Sequence, residues 1–228
     1  MIDGIIFDKD GTLFDFNATW GAWSRSMLES EAQGDAALLA KLADVLGYDL
    51  DAARFRPGSV VIASTVDETA DAMLAVLGGD KGALIARMKT AAQTVPQQEA
   101  APLVPYFDAL KARGWALGIA TNDNEETARR HLQTAGVLGV FDFVAGYDSG
   151  HGGKPAPGQL LAFCETTGVR PERAMMVGDS LHDLHAGRAA GMICVGVLTG
   201  PAPAEELAPY ADVVLASISD LPGWIDAQ

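Results

Sequence analysis

Two carboxylates stand one residue apart in Asp8-Lys9-Asp10-Gly11-Thr12-Leu13. Both can face one pocket if the chain turns between them, and Gly11 supplies a permissive backbone for that turn. A turn of solvated acids would explain the hexapeptide alone equally well. In Thr121-Asn122-Asp123-Asn124, a hydroxyl and the backbone amides of a helix start can hold an anion, although Thr and Asn are also ordinary helix caps. Lys154-Pro155 follows the glycine-rich loop Asp148-Ser149-Gly150-His151-Gly152-Gly153. A proline restricts the residue before it, and an ammonium fixed near carboxylates and a phosphate would steady both. In Gly178-Asp179-Ser180-Leu181-His182-Asp183, Asp179 and Asp183 can share a pocket if a helix begins between them. Two further carboxylates there suggest a hard cation with oxygen ligands, magnesium rather than zinc. A capped helix with an acidic first turn is the plainer alternative.

Each group follows a short apolar run. The runs are Gly4–Phe7, Ala116–Ala120, Phe143–Ala145, Ala174–Val177, Ile193–Val197 and Val213–Leu215, with amphipathic stretches between them. That alternation predicts βα units around a parallel sheet, an α/β fold. In such sheets ligand groups gather at the carboxyl ends of the strands. Residues 15–95 have another character. Trp20–Glu31, Ala36–Leu46, Val66–Leu77 and Lys81–Thr94 read as helices, with Gly47 and Gly78-Gly79 as stops. This is a helical insertion into an α/β domain made of residues 1–14 and 96–228, and Pro96, Pro102 and Pro105 mark the return to the core.

The 228 residues suffice for one core domain and a small accessory one. The net charge of −14 argues against nucleic acid as a partner, because phosphate backbones would be repelled. It argues less against a small phosphate ester, since a bound divalent cation and a few basic groups reverse the potential within a pocket. No run approaches the roughly 18 apolar residues of a membrane span, and the first residues have no secretory pattern. A cytoplasmic protein is expected, with no membrane partner, as a monomer or a homodimer. Cys164 and Cys194 fit no metal spacing and read as small buried hydrophobes.

Taken together and in this order, Asp-x-Asp-Gly-Thr-Leu, the Thr after the second run, Lys-Pro and Gly-Asp-Ser-x-x-Asp resemble the four motifs of the haloacid dehalogenase-like hydrolases, most of which are phosphatases. The insertion resembles the helical cap domain of their phosphoglycolate phosphatase-like branch. The resemblance implies a Rossmann-like parallel-sheet core and the following roles. Asp8 is the nucleophile that forms an aspartyl-phosphate. Asp10 is the acid for the leaving oxygen, then the base for water. Asp10 must then hold a proton near neutral pH, well above a reference pKa of about 3.9; crowding by carboxylates and partial desolvation favour that. Mg2+ is held by the Asp8 side chain, the Asp10 carbonyl and Asp179, with Asp183 orienting the set or serving as an alternative ligand. Thr121, the Asn122 amide and Lys154 bind the phosphoryl oxygens.

The implied function is a magnesium-dependent phosphatase for a small phosphorylated metabolite, with a phosphosugar mutase as the alternative. Dehalogenase chemistry is disfavoured by Asp10. Phosphonate cleavage would need a Schiff-base lysine, and Lys41, Lys81 and Lys89 lie in no recognisable context for one. A non-catalytic scaffold is disfavoured by the intact set Asp8, Asp10, Thr121, Lys154 and Asp179. His131 is read as a surface or packing residue, His182 as part of a solvated helix start, His185 as lying on the following helix, and His151 as a loop residue not expected to reach the pocket. The arginines Arg25, Arg54 and Arg56 are read as solvated too. Lys9 stands where an apolar residue is commoner in the family, and it is expected to point away from the pocket.

Overall fold

A computed structural model of the chain describes residues 2–56, 59–63, 66–92 and 97–228. In chain order the strands are β1 (Gly4–Phe7), β2 (Tyr48–Asp49), β3 (Arg54–Phe55), β4 (Ala116–Ala120), β5 (Phe143–Ala145), β6 (Ala174–Gly178), β7 (Ile193–Val197) and β8 (Val213–Leu215). The chain divides into two compact units, Met1–Asp15 with Gln97–Gln228 and, between them in sequence, Phe16–Pro96.

The first unit is an α/β core around a six-stranded sheet in the order β5-β4-β1-β6-β7-β8. All of its pairings are parallel. The six apolar runs therefore form one sheet, and β6 extends one residue beyond its run, to Gly178. Every residue of β1 is buried, as expected of a strand covered on both faces. Alternate residues serve the two faces. Ile5, Phe7, Leu117, Ile119, Met175 and Val177 pack with Leu103, Phe107 and Leu132 on one side. Ile6, Ala120 and Met176 pack with Leu160, Phe163 and Ala186 on the other.

Register decides what meets at the strand ends. Phe7 lies opposite Ile119 on β4 and Val177 on β6. Asp8 thereby leaves the sheet level with Ala120 and Gly178, and Thr121 and Asp179 follow one residue further on.

The second unit is helical. A π-helical turn, Asn17–Gly21, runs into the α-helix Ala22–Ala32. The helix Ala36–Leu46 is capped by the Asp35 side chain and ends at Gly47, whose φ is 65°. Val66–Leu77 follows, then Lys81–Ala92. The expected end of that last helix at Thr94, the boundary at residues 95 and 96, and Pro96 lie outside the described residues. The antiparallel pair β2–β3 and the four-residue helix Val60–Ala63 are further elements of this unit, and both are too short to leave a periodic signal. No described helix is long and apolar enough to cross a membrane.

Phe163 fills the space left where Gly4 and Gly118 carry no side chain, and a Cβ on Gly118 would stand 2.6 Å from its ring. Gly118→Ala is expected to lower stability by about 1–3 kcal/mol through overpacking. A second substitution, Phe163→Leu, should recover part of that loss in urea unfolding.

Candidate active site

Asp8 is fixed as it leaves β1 by its backbone N–H, which donates to the Val177 carbonyl at 2.8 Å. The chain then doubles back. The amides of Leu13 and Phe14 donate to the Lys9 carbonyl, and the Gly11 amide to that of Phe14. Gly11 has φ +82°, so the turn needs a residue without a Cβ.

Asp179 is wedged between two backbone segments. A Cβ on Gly11 or on Gly200 would overlap its carboxylate. The two segments are tied together by Thr199 Oγ1, which donates to the Gly11 carbonyl at 2.6 Å. Asp183 sits in the first turn of the helix Leu181–Ala190 and is fully buried. Its Oδ2 accepts from the Ser180 amide and hydroxyl, at 3.0 and 2.7 Å. Gly178 leaves room for it, because a Cβ there would overlap the Asp183 carboxylate.

Lys154 joins these groups. Its Nζ donates to Asp8 Oδ1 and to Asp183 Oδ1, each at 2.6 Å. The Asn122 side chain clamps its backbone, donating to the Lys154 carbonyl at 2.9 Å and accepting from its amide at 2.8 Å. Thr121 is buried, and its Oγ1 accepts from the Asp123 amide at 3.0 Å, which leaves the hydroxyl hydrogen to donate. Gln159, also buried, donates to the carbonyls of Thr121 and Gly152 and ties the two loops together.

Asp10 is held apart from that set. Lys9 Nζ lies 2.6 Å from Asp10 Oδ2 and 3.4 Å from Asp123 Oδ2. It also reaches His131 Nδ1 at 3.1 Å. The expectation that Lys9 points away from the site is therefore corrected: its side chain is fully buried and its ammonium rests on Asp10. The reason is that the side chain is buried, and a buried ammonium is tolerated only against partners such as these acids. His131 is buried, as a packing residue would be, but its ring meets a cation. His185 is exposed against Tyr210, and His151 is exposed in its loop. Arg25 and Arg56 pair with Glu29 and Asp44 at the surface. Both cysteines are buried free thiols.

Asp8, Asp10, Asp123, Asp179 and Asp183 thus share two ammonium groups, Lys9 and Lys154. The Asp8 carboxyl is raised to about 7, by burial first and then by Asp183 and Asp10, against the pull of Lys154. Burial, then Asp8 and Asp183, hold Asp179 well above the usual carboxylate range. Burial raises Asp123 as well, against the pull of Lys9. Both lysines are raised although burial alone would lower them, Lys154 by Asp183 and Asp8 and Lys9 chiefly by Asp10 and Asp123. Neither lysine gives up its proton, so the unbalanced charge is negative.

A hard cation fits that imbalance. Asp8, Asp179 and Asp183 each offer a buried carboxylate oxygen, and these oxygens lie within 4.8 Å of one another. An all-oxygen donor set suits magnesium or a similar ion. The Asp10 side chain is outside this group, on Lys9. Asp183 enters it with both oxygens already accepting hydrogen bonds, so it contributes charge and orientation as much as a bond.

The sheet end thus places Asp8, Asp10, Thr121, Lys154, Asp179 and Asp183 together, with Asn122 beside them. Lys9, Asp123, His131, Gln159, Thr199 and Gly200 are neighbours that sequence reasoning did not select. A lysine between two aspartates was the available signal for the first three. The others act through backbone contacts that leave no mark in residue type.

The family model described as haloacid dehalogenase-like hydrolase matches residues 2–191. A phosphoglycolate phosphatase of Neisseria meningitidis is 31% identical over 98% of this chain and 89% of its own length. One from Aquifex aeolicus is 34% identical over 55% of this chain, and the match spans 58% of that protein. Among solved structures, a beta-phosphoglucomutase of Clostridium difficile shares the fold with a TM-score of 0.69 at 18% identity, over 100% of this chain and 96% of that one. The chain belongs to the haloacid dehalogenase-like hydrolase family and is a phosphatase within it, a phosphoric monoester hydrolase.

Proposed function

We propose that this chain is a magnesium-dependent cytoplasmic phosphatase that hydrolyses a small phosphorylated metabolite of the phosphoglycolate kind through a phosphoryl group carried on Asp8. The observation that carries the reading is the buried trio Asp8, Asp179 and Asp183 with Lys154 bonded across it. Two phosphoglycolate phosphatases among the relatives support the substrate class.

In this reading the Thr121 hydroxyl, the Asn122 amide and Lys154 hold the phosphoryl oxygens, where charge develops during transfer. Asp8 attacks phosphorus while Asp10 gives its proton to the departing oxygen. Asp10 then takes a proton from water as that water attacks the phosphoryl group, and inorganic phosphate leaves. Asp8, the Asp10 carbonyl and Asp179 would hold magnesium, with Asp183 steadying them. When bound, the ion supplies the positive charge that keeps Asp8 ionised and offsets the incoming phosphate. The inserted helical unit is the cap domain, and it carries the choice of substrate.

A phosphosugar mutase is the second reading, favoured by the fold shared with a beta-phosphoglucomutase. It would return the phosphoryl group to a sugar hydroxyl rather than to water.

A panel of phosphorylated metabolites, assayed for inorganic phosphate, tests the proposal. Phosphate release is expected with magnesium and near-total loss in excess EDTA. Full activity in EDTA removes the metal, and sugar-phosphate isomerisation without phosphate release selects the mutase. Asp8→Asn is expected to form no phosphoryl-enzyme, and labelled phosphate trapped on that variant would refute Asp8 as acceptor. Gly200→Ala is expected to displace the Asp179 carboxylate, which Gly11 confines from the other side. The apparent magnesium affinity should fall about 10–100-fold, alongside an overpacking loss of stability of about 1–3 kcal/mol.

A further inference from the structure

A lysine without solvent exposure needs partners for its three donors. Lys9 has Asp10 Oδ2 at 2.6 Å, His131 Nδ1 at 3.1 Å and Asp123 Oδ2 at 3.4 Å. These partners come from the loop after β1, the helix Glu125–Thr134 and the loop after β4. Lys154 has a separate pair, Asp8 and Asp183. The two ammonium groups therefore sort the acids into two sets, one around the nucleophile and one around Asp10. An ammonium only donates, so the His131 ring accepts at Nδ1 and carries its hydrogen on Nε2.

We propose that Lys9 is a positioning residue for Asp10: braced by Asp123 and His131, it pins one Asp10 oxygen and so aims the other at the reacting group. The inference rests on the reading of Asp10 as proton carrier. An aspartate turns about two bonds, and a contact from Lys9 to one oxygen leaves the second oxygen one direction. An apolar residue at position 9 would fill the space and leave that direction unset. Proton transfer is sensitive to such placement, because donor and acceptor must stand within hydrogen-bond reach. Lys9 itself need not touch substrate.

The test compares wild type, Lys9→Met and Lys9→Arg with magnesium on two substrates, para-nitrophenyl phosphate and an alkyl phosphate from the metabolite panel. An alkoxide leaves only with a proton, whereas nitrophenolate leaves largely without one. Lys9→Met is expected to lower kcat/KM, which reports the step that expels the leaving group, about 10–100-fold on the alkyl ester, with a clearly smaller loss in kcat/KM on para-nitrophenyl phosphate. Lys9→Arg should restore part of the loss. In an Asp10→Asn background, Lys9→Met should add nothing further. Equal losses on both substrates, or full additivity with Asp10→Asn, would mean a purely structural role and overturn the inference. Should Lys9→Met fail to fold, His131→Leu removes one brace and should show a smaller loss with the same substrate bias; an even loss there overturns it too. Wild type inactive on both esters overturns the phosphatase reading and this inference together. Wild type active and Lys9→Met unimpaired overturns this inference alone.

Discussion

Lys154 lies out of water and donates to Asp8 and Asp183 at 2.6 Å each. Either acid buried alone would be costly, and losing one member of a buried ion pair typically costs about 3–5 kcal/mol. The ammonium makes the arrangement possible without completing it. Asp179 stands beside the same two acids, and burial together with their charges holds its carboxyl up against the weaker pull of Lys154. Three buried carboxylates share one ammonium there, and that set could hold a cation. Much of the surrounding architecture serves that crowding. Asn122 holds the Lys154 backbone by two hydrogen bonds, and Gly11, Gly178 and Gly200 leave out the side chains that would occupy the carboxylates' space.

The parallel sheet provides the common origin. Because β1 is flanked by β4 and β6 in a register that aligns Phe7 with Ile119 and Val177, three polar loops begin within one residue of the same level. The family resemblance rests on residue types at those loops, and the geometry explains why the types must recur together. Asp8 after β1, Thr121 after β4, Lys154 after β5 and Asp179 after β6 meet at separations the strand spacing already sets.

The sequence was most legible where one physical rule governed a run of residues. Apolar runs such as Gly4–Phe7 and Ala116–Ala120 could hardly be anything but buried strands, and the amphipathic repeat of Ala36–Leu46 marked a helix. The motif acids were legible because their spacing relative to strand ends is tight. Legibility failed where the outcome depended on residues far apart in the chain. Lys9 meets His131 across 122 positions, and a charge at position 9 reads as a surface charge until that partner is known. The strands β2 and β3, of two residues each, lack the length for any period to show. Gly200 offers no chemistry to read, since its part is to be absent from the space Asp179 occupies.

The central place of β1 has a consequence for how the molecule comes into being. Its two neighbours begin at Ala116 and Ala174, so the first strand made waits longest for both of its neighbours. On a ribosome adding about 5–20 residues per second, roughly 10–30 s pass between β1 and the end of β6. Through that interval an apolar tetrapeptide waits with at least one open edge, a template for unwanted pairing. The helical unit is complete in sequence well before then. A nascent chain of this protein therefore carries its complete helical unit long before the sheet around β1 exists, and its earliest need is for shelter of that first strand.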